Sequence, residues 1–191
     1  KDIPQALQTT LKSFYEKGGN LIFIPSSETS ISNSNFFLRN FGAISMNNSI
    51  QKEKLITGIS FAHPLYSGVF EKKVDNFQYP KTVSGFELIS TYPAILSYED
   101  QSPFLTAVST ALSSVYVFSA PIHKDNSNFK NSPLIVPTFY NMALQSVKTG
   151  INALPIGTST PVTVDQLLSK DEIISVISAT DEKAEKFIPQ Q

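Results

Sequence analysis

An α/β domain built on a parallel sheet with helices on both sides is what this 191-residue sequence predicts. Three observations lead there. A helical pattern from Asp2 to Lys17 runs through Gly18-Gly19 into the unbroken apolar run Leu21-Ile22-Phe23-Ile24. Such a run suits a strand covered on both faces, as in a parallel sheet. A second run, Val115-Tyr116-Val117-Phe118, is β-branched and aromatic and is followed by another helical pattern at Ser132 to Lys148.

The first helix has Asp2 as a plausible N-cap and Pro4 near its first turn, where a missing N–H costs little. Leu7, Leu11, Phe14 and Tyr15 follow helical spacing and form its expected buried stripe. Gly18 and Gly19 end it, since glycine takes the left-handed cap conformation without steric cost. If Leu21–Ile24 is a central strand, a site belongs in the crevice beyond its carboxyl end, at Pro25 to Asn35. A second helix is expected from about Ser34, with Phe36, Phe37, Leu38 and Phe41 as its apolar side and Gly42 as its cap. Ala43 to Lys54 reads as irregular, Ile56 to Phe61 as a short strand, and His63-Pro64-Leu65-Tyr66-Ser67-Gly68 as a turn. Lys81 to Ser90 reads as a strand. Ala94–Tyr98 and Phe104–Ser109, either side of Glu99-Asp100-Gln101-Ser102, read as a hairpin. Lys124 to Asn131 is a polar loop. In the last helix Leu134, Ile135, Phe139, Met142, Ala143 and Val147 are expected to be buried, with Pro137 near the first turn. Residues 1–150 thus form the main domain, and 151–191 read as a short β-rich extension or the start of another domain.

Composition excludes several functions. Lys+Arg 15 against Asp+Glu 16 gives a net charge of −1, with no basic excess to neutralise a phosphate backbone. Cysteine is absent, which removes disulfides, thiolate metal sites and thiol nucleophiles together. Only 16% of residues are charged, so the polar surface comes largely from Ser, Thr and Asn, a composition common in envelope and secreted bacterial proteins. No run is long enough to span a bilayer, and there is no signal peptide. The chain opens on Lys1 and directly on a helix, so it reads as a piece of a longer protein whose first strand is expected upstream.

The order of these segments carries a resemblance. The helix, Gly-Gly and apolar strand are followed by His63-Pro-Leu-Tyr-Ser-Gly-Val-Phe70. The Ala94 to Leu105 hairpin, Val115-Tyr-Val-Phe-Ser-Ala-Pro121 and the loop Asp125-Asn-Ser-Asn-Phe129 come next. This resembles the class I glutamine-amidotransferase-like superfamily. More narrowly, it is similar to the amidotransferase-like region of bacterial membrane-anchored aerotolerance (Bat-type) proteins. The resemblance implies a flavodoxin-like three-layer α/β/α sandwich with a mostly parallel sheet, in a cell-envelope, periplasmic setting. The family's nucleophilic Cys would fall on the turn Pro25-Ser26-Ser27. With no Cys present and no Gly-x-Ser-x-Gly elbow, the resemblance implies a fold without the inherited catalysis.

The chemically interesting residues are few. Ser26 and Ser27 are candidate nucleophiles if a histidine reaches them, or loop serines that bond the backbone. With Glu28 they are the candidate ligand-binding residues. His63 is a candidate general base, or a turn histidine whose ring is held by the backbone. His123 and Asp125 could form the base half of a triad, if geometry allows. No metal cluster, phosphate loop or cofactor motif is present, so no cofactor is expected. The reading that follows is a non-catalytic binding or interaction module of a membrane-anchored envelope protein, with an unidentified protein, small-molecule or glycan partner. The alternative is a serine-dependent hydrolase of amide, ester or glycan-related substrates. Sugar recognition by Tyr and Phe faces is a third possibility.

Overall fold

A computed structural model describes residues 2–69, 78–110 and 112–147, all within the first of two units, Lys1–Lys148. The expected β-rich segment 151–191 lies outside the described residues. The helices are α1 (Gln5–Glu16), α2 (Ile31–Leu38) and α3 (Ile135–Ser146). The strands are β1 (Leu21–Phe23), β2 (Ile44–Ile50), β3 (Lys54–Ile59), β4 (Lys81–Thr82), β5 (Gly85–Ser90), β6 (Ala94–Tyr98), β7 (Pro103–Ser109) and β8 (Ser114–Phe118). Six strands form one sheet in the order β1-β8-β7-β6-β3-β4, and β2 pairs with β5.

Among these pairings β1 with β8 is parallel, and β8/β7, β7/β6, β6/β3, β3/β4 and β2/β5 are antiparallel. The flavodoxin-like, mostly parallel three-layer sandwich is therefore overturned. The connections explain why. Parallel neighbours need a crossover of a dozen residues or more, whereas residues 99–102 are a tight turn that forces the chain back on itself and Ser109 pairs directly with Ser114. Gln101 takes φ 66 to close that turn.

The apolar run at Leu21 is not the middle of the sheet either. β1 is an edge strand, and Ile22 remains 44% exposed. The strand buried on both faces is β8. Tyr116 and Phe118 point into one core with Tyr98, Phe104, Phe129, Leu134 and Met142. Val115 and Val117 point into a second, with Tyr15, Phe37, Phe41, Ile44, Met46, Phe86 and Leu88. Aromatic edges dominate the first core: the Phe104 ring lies 5.5 Å from Tyr98, 5.5 Å from Phe118 and 5.2 Å from Phe129.

Smaller expectations are adjusted. Gly18, at φ 92, receives the end of α1, its N–H bonded to the Tyr15 carbonyl. However, α1 buries Gln8 and Tyr15 and leaves Leu7 and Phe14 exposed, so its inward face is rotated from the expected stripe. Asp2 does not cap it; Pro4 holds that position. The second helix, expected to start near Ser34, starts at Ile31, with Ser30 as its cap accepting from Asn33 N–H. Residues 44–50, expected to be irregular, form β2. The stretch 81–90 is two strands, paired in different places. In α3, Ala143 and Val147 are exposed, and Pro137 falls in the first turn as expected.

At the 99–102 turn, Lys54 Nζ meets Asp100 Oδ2 at 2.7 Å and Ser102 Oγ at 3.1 Å, and sits 5.2 Å from the Tyr98 ring centre. Burial pushes the Asp100 carboxyl up, but the hydrogen bonds from Lys54 and Ser102 and the Lys54 charge outweigh it and hold the group at about 2. A depressed folded value stabilises above the ordinary carboxylate range and is lost as pH falls through about 2. Urea midpoints between about pH 5 and pH 2 should show this acid limb flattened in Asp100→Asn, by no more than about 1 kcal/mol since the carboxylate is half exposed. In the core, Phe104→Ala should cost about 3–5 kcal/mol by urea unfolding. Phe36→Ala, on an exposed ring, should cost about 0.5 kcal/mol.

Candidate functional site

Because β1 and β8 are parallel, with Phe23 in register with Val117, the chain leaves both at the same end of the sheet. Two loops emerge there: 24–30, carrying Ser26, Ser27 and Glu28, and 119–128, carrying His123 and Asp125.

The first loop is closed by its own polar groups. Ser26 N–H donates to Thr29 Oγ1 at 2.8 Å, the two hydroxyls lie 3.2 Å apart, and Thr29 N–H returns to the Ser26 carbonyl. This turn is one that Ser and Thr side chains build by bonding nearby backbone. Ser27 and Glu28 are exposed beyond it.

The second loop is pinned from beneath. Asn126 Oδ1 accepts from Ser84 N–H at 3.0 Å and from Ser84 Oγ at 2.7 Å, while its Nδ2 donates to the Ser84 and Pro121 carbonyls. Ser127 Oγ donates to the Lys81 carbonyl, and Asn128 Oδ1 accepts from Lys81 N–H. At the strand exit Phe86 N–H donates to the Ser119 carbonyl. Gly85 is required there, since a Cβ would stand 2.9 Å from the Ala120 Cβ and 3.0 Å from the Ser119 carbonyl oxygen. The stretch looks like a solvated loop in sequence, yet Asn126 and Ser127 are buried. The one sequence signal was the Asn-Ser-Asn run beside a strand exit, residue types that bond backbone readily.

Above this base His123, Lys124 and Asp125 are exposed. His123 Nδ1 lies 3.8 Å from Asp125 Oδ2. That is too long for a hydrogen bond, and an exposed pair of this kind is worth under about 1 kcal/mol. Among the described residues no hydrogen bond joins Ser26 or Ser27 to either histidine.

His63 lies elsewhere. β3 is separated from β1 by β6, β7 and β8, about 19 Å along the sheet at the usual strand spacing. It runs antiparallel to β8, so the turn after it leads away from the two loops. The His63 ring is held by the turn: Nδ1 accepts from Leu65 N–H at 3.2 Å. Burial pushes its pKa down.

Buried hydroxyls flank the second loop. Thr82 Oγ1 donates to the Tyr98 hydroxyl, itself 3.2 Å from Ser119 Oγ. Burial pushes the Tyr98 phenol up, against those hydrogen bonds. Burial likewise takes Tyr66, bonded to Thr138, to about 12. These phenols stay protonated at neutral pH and do not serve as bases. Among the described residues no three His, Asp or Glu side chains are grouped to hold a metal.

No family model and no curated protein matches the sequence. The fold is similar to that of the cytoplasmic protein STM3548 from Salmonella typhimurium, with a TM-score of 0.55 and 17% identity over 75% of this chain and 61% of that one. Weaker likenesses are to the cytoplasmic protein STM1381 from Salmonella typhimurium LT2 (TM-score 0.49, 17% identity, 76% of this chain, 61% of that one). Another is to a beta-galactosidase from the psychrophilic Marinomonas ef1 (0.48, 12%, 75% of this chain, 19% of that one). The chain thus spans 61% of the length of STM3548, and at 17% identity that likeness concerns the fold alone.

These findings correct the amidotransferase-like and Bat-type resemblance, because the sheet is mixed and β1 is an edge strand. The membrane-anchored, periplasmic envelope setting rested on that resemblance and a compositional hint, and it is withdrawn with it. Among the described residues no helix is long and apolar enough to cross a membrane.

A histidine whose folded pKa is lowered binds its proton less readily than the unfolded chain does. Stability is then full above about pH 6.5 and declines as pH falls below it. His63→Asn keeps an acceptor for Leu65 N–H without titrating. Urea midpoints at about pH 7.5 and pH 5.5 should differ more in the parent protein than in this variant.

Proposed function

We propose that this domain is a non-catalytic binding module whose surface is formed by loops 24–30 and 119–128. Its partner would be polar: a glycan, a small molecule or a protein segment. The observation that carries the reading is the contrast within loop 119–128. Its backbone is fixed by Asn126, Ser127 and Asn128, while His123, Lys124 and Asp125 remain free to meet solvent. A loop ordered in advance loses less entropy on binding, and side chains at its tip supply selectivity. The groups that catalysis would need are occupied in structural hydrogen bonds: Ser26 by Thr29 and His63 by Leu65.

The alternative, a serine-dependent hydrolase of amide, ester or glycan-related substrates, draws support from one fact: Ser26 and His123 leave the same end of a parallel pair. A single sample separates the two. Nitrogen-15-labelled protein titrated with chito-oligosaccharides, malto-oligosaccharides and a short acidic peptide should show amide shifts gathered at 24–30 and 119–128 for one of them. His123→Ala with Lys124→Ala should weaken that response about tenfold. Hydrolysis of p-nitrophenyl acetate by the purified protein, abolished by both Ser26→Ala and His123→Ala, would replace the binding reading with the hydrolase one.

A further inference from the structure

Helix α1 is fastened to the domain at its ends and poorly matched to it in between. The two side chains it buries are Gln8 and Tyr15. Each leaves a polar atom without a hydrogen-bond partner among the described residues, Gln8 Oε1 and the Tyr15 hydroxyl. A buried group in that condition forfeits the hydrogen bonds it makes in water. Apolar burial adds little: Ile3 and Leu11 are half-buried against the second core, and Leu7 and Phe14 face solvent. A helix is ordinarily held to its core by burying its apolar stripe, and here part of that stripe points outward.

The two ends differ. At the start, one side chain of α2 clasps the chain. Asn33 Oδ1 accepts from Ile3 N–H at 2.7 Å and Asn33 Nδ2 donates to the Ile3 carbonyl, which also takes Gln8 Nε2 at 2.8 Å. At the far end the Tyr15 ring meets Phe41 edge-on at 4.9 Å, and Ser113 Oγ donates to the Tyr15 carbonyl. The chain then passes through Gly18, at φ 92, and Gly19. The next residue is already fixed, since Asn20 Oδ1 accepts from Ser114 N–H at 2.8 Å. Two glycines between a helix and an anchored residue can absorb a change of direction that β1 does not feel.

We propose that α1 is a hinged strap, which swings off the second core about Gly18-Gly19 when Asn33 releases Ile3, while the sheet beneath stays folded. The rest of that core comes from α2, β2, β5, β7 and β8 and does not depend on the strap. Opening returns Gln8 and the Tyr15 hydroxyl to water and uncovers the aromatic recess at Phe37 and Phe41. A released helix of 12 residues is too short to persist alone in water, so opening also melts it.

The test is amide hydrogen exchange, read by NMR on the nitrogen-15-labelled full chain. Amides from Thr9 to Glu16 should share one protection factor, about a hundredfold or more below that of Val115 to Phe118 in β8. Tyr15→Phe keeps the ring and removes the unpartnered hydroxyl, so it should slow exchange in α1 about tenfold. Asn33→Ala, which opens the clasp at a position where alanine suits α2, should speed exchange in α1 about tenfold and leave β8 unchanged. The proposal is overturned if α1 is as protected as β8. Protection that climbs steadily from Thr9 to Glu16 also overturns it, since that is fraying from one end. So does a Tyr15→Phe variant whose α1 exchanges no more slowly than the parent, because the hydroxyl then helps to fasten the helix. An Asn33→Ala variant that leaves α1 unchanged, or speeds β8 as much as α1, does the same.

Discussion

The structure depends on the two-sided burial of β8. Along Ser114–Phe118 the side chains alternate strictly, valines to one face and aromatic rings to the other. Each face supports a separate hydrophobic core, so the strand is the partition between them. Everything that positions the candidate site refers to it. β1 is held in parallel register against one of its edges and β7 in antiparallel register against the other. The loop with His123 is its direct continuation. Alternation at a period of two is a backbone property of strands, and here one strand uses it to sort a Val pair from a Tyr–Phe pair.

Local features were readable from the residues themselves. The Glu99-Asp100-Gln101-Ser102 turn, the glycine that receives α1 and the strand Val115–Phe118 all have short-range causes. What was not readable was rank within the sheet. Leu21–Ile24 and Val115–Phe118 are similar apolar runs, and only long-range pairing decides that the first lies at an edge and the second between neighbours. β2 was hidden by Asn47 and Asn48, which suggest a turn. In the fold they sit where the β2–β5 register shifts, between Met46 and Ser49, and both side chains bond Glu87. A bulge absorbs residues that a regular ladder would refuse. The site was half legible. Ser26, His123 and Asp125 could be singled out by type, but the residues that fix the loop of His123 and Asp125, Asn126 and Ser127, have side chains that look solvated until their partners on Lys81 and Ser84 are known.

The polar chemistry is correspondingly conservative. Hydroxyls and amides, not charges, hold the loops, and they are consumed in doing so. Asn126 spends its full side-chain capacity on Ser84 and Pro121, and the Tyr98 phenol is enclosed with Thr82 and Ser119. Neutral hydrogen bonds of this kind contribute about 1 kcal/mol each and do not respond to salt. Fixed loops with exposed polar tips are what such a framework can offer to solvent.

The margins of the six-stranded sheet have a consequence of their own. One margin is β1, three residues long and followed at once by Ile24 and Pro25; the other is β4, two residues long. Unpaired N–H and C=O groups on a long, flat margin invite a stranger's backbone to add on and propagate, the first step toward fibres. Among the described residues neither end strand gives an intruding chain more than a rung or two to grip, and a proline, with no hydrogen to donate, stands just past the longer one. The end strands of this sheet thus limit add-on pairing by their brevity rather than by charge.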